Sequence, residues 1–300
     1  MSAGDERAEA LRQAYAHCSA VARDSERDRW LSALFAPEAA RPHLHAIAAF
    51  DHEIGRIRIV TREPLAGEMR LTWWREALAG DRANEARGHP IAGALLDTIE
   101  TFRLPRTLFE NAISARQFDL YDDALPTLHD LEGYCGETCS SLFQLGALIL
   151  AGGRDVGAAD ASGHAGVAFA VTRFLLALPA ARATFLPREI LERHGVALAD
   201  VAARRAGPGL AAALRELIAA ARVHLAKAEA HLERLPADVA PAYAPLAMLP
   251  LYLARLDRVV DAPFSAAVDV AQWRRQWALW RWARRRKNPS PVVAGEGKLS

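Results

Sequence analysis

Residues 41–59 read Arg-Pro-His-Leu-His-Ala-Ile-Ala-Ala-Phe-Asp-His-Glu-Ile-Gly-Arg-Ile-Arg-Ile, between Asp28-Arg-Trp-Leu-Ser-Ala-Leu-Phe35 and Leu71-Thr-Trp-Trp-Arg75. The period-two alternation of β-branched residues that marks a strand is missing here, as it is along the rest of the chain. Alanine, leucine, arginine and glutamate dominate instead, and all four are strong helix formers. The punctuation agrees. Pro37, Pro64, Pro90, Pro105, Pro187 and Pro208 stand where helices begin, and Gly80, Gly152, Gly153 and Gly195 stand where they end. The pattern predicts helices over about 5–23, 28–35, 37–60, 64–80, 90–101, 105–121, 127–151, 157–178, 187–193, 208–235, 239–258 and 266–286. The stretches 127–151 and 157–178 are apolar on more than one stripe, so they are expected at the centre of the bundle. The fold class is all-α. An N-terminal helix (1–24) leads into one helical domain (25–287), and a Pro- and Gly-containing tail (288–300) reads as disordered.

Composition narrows the function. Of 300 residues, 51% are hydrophobic and 24% charged, and a net charge of +1 gives no global field for nucleic acid. Only Lys227, Lys287 and Lys298 are lysines, which leaves 34 arginines. That bias has two readings: GC-rich coding, or a need for guanidinium forks that grip carboxylates and phosphates. Cys18, Cys135 and Cys139 match no zinc spacing and read as small buried side chains. No charged-then-apolar leader opens the sequence and no run approaches eighteen uninterrupted apolar residues, so a cytoplasmic protein is expected.

Several separated segments resemble the squalene/phytoene synthase family. These are 28–35, 41–50 and 71–75, then Leu131-Glu-Gly-Tyr-Cys-Gly136, then Gly166-Val-Ala-Phe169 through Phe185-Leu-Pro187 to His194-Gly-Val196, in family order over about residues 25–260. The resemblance implies an isoprenoid-synthase-type bundle with a central cavity. Active members join two prenyl diphosphates head to head, with Mg²⁺ held by two Asp-rich helix segments. Mg²⁺ requires hard oxygen ligands, and carboxylates one helical turn apart supply them from one face.

Both Asp-rich segments are altered here. The positions of the first are taken by Gly55, Arg56 and Ile59, and those of the second, in Arg173-Phe-Leu-Leu-Ala-Leu-Pro179, by Ala177 and Pro179. The resemblance extends to a subgroup that includes a mitochondrial complex I assembly factor and is degenerate at the same segments. The expected function is therefore a non-catalytic, isoprenoid- or anion-binding or assembly-type factor, peripheral on the inner membrane, with a respiratory-complex subunit as partner and no resident cofactor. The alternative is a prenyltransferase with relocated Mg²⁺ ligands at Asp119, Asp122 and Asp123, whose i, i+3, i+4 spacing places them on one face if the helix continues.

The remaining polar residues each have two readings. Arg56 and Arg58 either bind an anion in the cavity or pair with Asp51, Glu53 or Glu63 on a helix surface. Asp51 and Glu53 diverge on a helix, which suits a solvated or salt-bridged face better than a metal site. Arg116 is a counter-ion for Asp119 or a second anion contact, and Tyr134 is a candidate ligand contact. Arg173 either pairs with Glu137 in the core or is a further anion contact, and His164 is expected to be a cap or a packed ring. In the last helix Trp273, Trp277 and Trp280 share one face, with Trp282 to the side. Residues 273–287 contain seven basic side chains, Arg274 and Arg281 among them, and no acid. That combination suits a membrane interface or a final core helix with a basic back.

Overall fold

The computed structural model describes residues 3–61, 63–121, 123–180, 185–265 and 268–287. Sixteen α-helices follow one another among them, with no β-strand. They are α1 (Ala3–Ser25), α2 (Arg27–Ala33), α3 (Arg41–Gly55), α4 (Ile57–Val60), α5 (Pro64–Ala79), α6 (Ala83–Gly88), α7 (Pro90–Phe102) and α8 (Arg106–Ala115). The second half holds α9 (Leu128–Cys135), α10 (Ser141–Leu150), α11 (Ala159–Ala177), α12 (Arg188–Arg193), α13 (Leu198–Ala202), α14 (Pro208–Leu232), α15 (Leu249–Asp257) and α16 (Gln272–Lys287). The all-α reading holds, and most expected helices appear within a few residues of their bounds. Gly80, Gly152, Gly153 and Gly195 all adopt positive φ, as helix-terminating glycines do. The expected disordered tail, 288–300, lies outside the described residues.

Four expected helices are interrupted where the sequence reading ran them through; in one of them, 239–258, the first half is a 3-10 helix (Ala237–Met248) that leads into α15. The 37–60 segment breaks at Gly55–Arg56 into α3 and α4. The 105–121 segment ends at Ala115, and a separate 3-10 turn follows at Phe118–Leu120. The 127–151 segment contains a π-helical turn, Gly136–Ser140, between α9 and α10. Close packing fits that widening. Gly166 of α11 lies so near the turn that a Cβ there would collide with the backbone of Ser140. Such single π-turns break the regular face of a helix and redirect the side chains beside them. Two short helices, α6 and α13, have too few residues to show a period and were missed.

One apolar cluster gathers α1, α3, α5, α7, α8 and α10 around Phe50, Leu71, Leu95 and Phe109. A second gathers α11, α14 and α15 around Phe143, Phe169, Leu217 and Tyr243. As their composition implied, the 127–151 and 157–178 stretches run centrally. The segment Ala237–Asp257 is long and apolar enough to cross a membrane, but it is mostly buried, contains Pro241 and Pro245, and forms part of the core.

Candidate functional site

Between α3 of one cluster and α11 of the other lies a cavity of ≈ 320 Å³, lined by Asp51, Gly55, Arg56, Arg116, Cys139 and Arg173 among others. A neighbouring lobe of ≈ 350 Å³ shares Glu26 and Arg173 with it and is closed by Asp28, Tyr252 and Arg275. The end of α1 supplies Glu26, α2 supplies Arg29, and the break after α8 turns Arg116 and Asp119 inward.

These side chains form one connected ionic network. Arg116 donates from Nη2 to Asp51 Oδ1 at 2.8 Å, and from Nη1 to Asp119 Oδ2 at 3.2 Å and to the Tyr134 hydroxyl at 2.9 Å. The Tyr134 hydroxyl in turn donates to Asp119 Oδ1 at 2.7 Å. Asp51 Oδ2 also faces Arg29 Nη2 at 3.8 Å, and Arg29 Nε lies 3.8 Å from Glu26. The Glu26 carboxylate then takes both ends of the Arg173 guanidinium, with Nη2 to Oε1 at 2.8 Å. Arg29 completes the set by lying 4.7 Å from the centre of the Phe169 ring, a desolvated cation against an aromatic face.

Burial and charge set the protonation states. Burial alone would raise Asp51, but Arg116, Arg29 and Arg173 outweigh it and hold its carboxyl below the usual value. Asp119 goes the other way, because its burial is only partly offset by Arg116 and Tyr134. Burial also pushes up the Tyr134 hydroxyl and the Cys139 thiol, so neither is poised to ionise. Arg173 is 44% exposed, yet what it meets is the shared wall of the two lobes, and its proton is held by Glu26 against the opposing effect of burial.

The structure brings Asp51, Arg116, Asp119, Tyr134 and Arg173 together, and revises several expectations. Arg173 pairs with Glu26; Glu137 is exposed, because it continues the outward face that Asp130 and Gly133 begin two turns and one turn earlier. Asp119 and Asp123 do not share a helix face: Asp119 is inward on the 3-10 turn, the chain becomes extended at Tyr121, and Asp123 is exposed. Asp122 lies outside the described residues. Arg56 is exposed at the cavity rim and pairs with Glu53 at 3.4 Å, so both readings of it meet at one place. Arg58 does not line either lobe. Asp51 is salt-bridged but buried, not solvated. His164 packs against His224, with the two Nδ1 atoms 3.0 Å apart. Trp273, Trp277 and Trp280 face outward, which removes the core reading for that stripe, whereas Trp282 packs inward.

The sequence reading gives Glu26 and Arg29 no role, and places Arg275 only among the basic side chains of the last helix. The available signal was the Glu26/Arg29 acid–base pair at i, i+3, just ahead of the apolar Trp30–Leu31 turn. The Mg²⁺ that the fold implies does not fit the donor set: among the described residues no three His, Cys, Asp or Glu side chains converge as metal ligands, and the carboxylates at the cavity already face arginines.

Comparison with known proteins agrees with this geometry. The squalene/phytoene synthase family model matches residues 22–281. A rat (Rattus norvegicus) protein named NADH dehydrogenase (ubiquinone) complex I, assembly factor 6 is 27% identical over 246 residues, 81% of this chain and 74% of its own. The human (Homo sapiens) protein of that name is 26% identical over the same coverage. Among solved structures, a dehydrosqualene synthase in complex with ligand superposes with a TM-score of 0.77 at 18% identity, covering 94% of this chain and 99% of that one. Squalene synthase HpnC from Alicyclobacillus acidocaldarius gives 0.67 at 23%, covering 83% and 92%. With an isoprenoid-synthase-type bundle and a family match over most of its length, the chain belongs to the squalene/phytoene synthase family.

Proposed function

We propose that this protein is a non-catalytic, assembly-type factor that keeps the cavity of its family for a ligand with an anionic head and an apolar tail. One observation carries the reading: carboxylates that would hold a metal are either replaced, as at Gly55, Arg56 and Ala177, or engaged by arginines, as at Glu26, Asp51 and Asp119. A site so arranged takes a diphosphate or other anion directly on guanidinium groups, without a metal bridge. Arg56 and Arg173 are the cations with surface open to the cavity, while Phe174, Ala170 and Ile59 offer apolar wall for a prenyl chain.

The relatives named as complex I assembly factors support a respiratory NADH dehydrogenase as the client. The prenyltransferase reading would need Asp119, Asp122 and Asp123 to converge, and Asp119 and Asp123 point to different surroundings. Incubation of the purified protein with farnesyl diphosphate and Mg²⁺, followed by pyrophosphate and product measurement, separates the two. No turnover, together with a loss of assembled NADH dehydrogenase on native gels when the gene is deleted, is the expected result. Turnover abolished by Asp119→Ala would overturn it.

A further inference from the structure

Helix α16 has two unlike faces. Inward, Leu279 is buried, Trp282 packs on the core, and Arg275 reaches into the second lobe, where it donates to Asp28 at 3.0 Å beside the Tyr252 hydroxyl. Outward stand Trp273, Trp277 and Trp280, which are 64%, 53% and 41% exposed. Trp277 and Trp280 stack with centroids 4.7 Å apart, and with Gln276 and Trp273 they wall an open, mostly apolar groove. Guanidiniums border it: Arg274 lies 5.2 Å from the Trp273 ring centre and Arg284 lies 4.7 Å from that of Trp280. Arg281 and Arg285 are exposed beside them.

Three indoles held in water on one stripe need a partner, and the bordering charge says which kind. Every charged residue from 273 to 287 is basic, so a two-fold contact with a second copy would bring like charges together. Arginines at this density also prevent α16 from crossing a bilayer. An anionic lipid surface satisfies both components. Indole rings favour the level between headgroup and acyl chain, and guanidinium forks match phosphodiesters. A helix of 16 residues, about 24 Å long, lies flat in that layer.

We propose that the outer face of α16 is a membrane-docking surface, seating Trp273, Trp277 and Trp280 at the headgroup boundary of an anionic phospholipid bilayer with Arg274, Arg281, Arg284 and Arg285 on its phosphates. Because Arg275 projects from the opposite face of the same helix, docking sets the wall of the second lobe against the bilayer. The proposal is independent of what the cavity binds.

The test uses the full chain with vesicles of phosphatidylcholine alone, or mixed with phosphatidylglycerol. Co-sedimentation with the anionic vesicles should exceed that with neutral ones by roughly tenfold, and brominated acyl chains should quench tryptophan emission. Trp277→Ser/Trp280→Ser should abolish most of the quenching, and Arg281→Glu/Arg284→Glu should abolish the preference for phosphatidylglycerol. Both pairs are exposed, so an unchanged urea midpoint is the control for folding. Equal sedimentation of wild type and both variants would overturn the proposal. So would a vesicle-free dimer that the tryptophan variant dissolves, since that would make the face a self-association surface.

Discussion

The guanidinium of Arg116 lies against the backbone of Gly55: a Cβ at residue 55 would sit 3.5 Å from the Arg116 Cζ. Gly55 ends α3 and Arg116 directly follows α8, and in the family pattern position 55 carries an aspartate. Here the cavity wall at that point is a fixed cation paired to Asp51, Asp119 and Tyr134. The contact distance is an ordinary one, so Gly55→Ala should be accepted without rearrangement. It should raise stability by up to about 0.5–1 kcal/mol, because alanine is better than glycine in a helix. Gly166→Ala makes the contrast. Its Cβ would collide with the backbone and hydroxyl of Ser140, and overpacking of that kind costs about 1–3 kcal/mol. Urea unfolding of the two variants should move the midpoint in opposite directions.

Removing Arg116 leaves Asp51 and Asp119 buried without their main counter-charge. Arg116→Met should therefore destabilise by about 3–5 kcal/mol, the range for breaking one partner of a buried ionic network. Asp119→Asn should cost much less, because burial already pushes the Asp119 carboxyl toward its neutral form and the amide retains hydrogen-bonding capacity. Equal losses in the two variants would show that Asp119 is instead a fully charged partner of Arg116.

Ligand affinity gives a separate handle on the cavity. With a non-hydrolysable farnesyl diphosphate analogue and no Mg²⁺, calorimetry should detect binding that weakens about tenfold or more in Arg56→Gln and in Arg173→Gln, as expected for loss of a charge-assisted hydrogen bond. Arg173→Gln also releases Glu26, so its folding must be checked alongside. Chelator-insensitive binding is the decisive feature. If affinity appears only with Mg²⁺, the anion is held by a metal and the direct guanidinium reading fails.

Much of this was legible in the sequence, and the misses share one cause. Helix existence followed from composition and punctuation, and the lost aspartates followed from setting 50–59 and 172–179 against the pattern of the family that the chain resembles. What the sequence did not reveal were the breaks: after Ala115, which turns Asp119 inward and leaves Asp123 outside, and at Gly136–Ser140, where the helix widens against α11. Each depends on packing between distant segments, such as Gly166 on Ser140, and helical periodicity cannot register such a contact. Glu26 and Arg173 are 147 positions apart for the same reason. The outward face of α16 was legible as a stripe, but its exposure depended on which side Leu279 and Trp282 found the core.

Four histidines make stability pH-dependent in a direction that can be fixed. Burial lowers the pKa of His43, His45, His89 and His164, and in His164 the neighbouring His224, Lys227 and His231 add to the effect. A ring with a depressed pKa stays neutral in the folded state while the unfolded chain takes up protons. Stability is therefore present above the unfolded value of about 6.5 and is lost as pH falls below it. His43 shows the local reason. Tyr15 donates to Asp97 at 2.6 Å and Thr98 donates to the Ala94 carbonyl at 2.8 Å. Both hydroxyls are thus left as acceptors for a proton on His43 Nδ1, at 2.9 and 3.0 Å. A second proton on the ring must then be solvated inside a half-buried cluster. Asp119, whose pKa is raised, works in the opposite sense, and one carboxylate does not offset four rings. The urea midpoint should fall between pH 7.5 and pH 5.5, and each unit of depression is worth about 1.4 kcal/mol. His43→Gln/His164→Gln should flatten the dependence, whereas a midpoint that stays level or rises on acidification would refute the assignment.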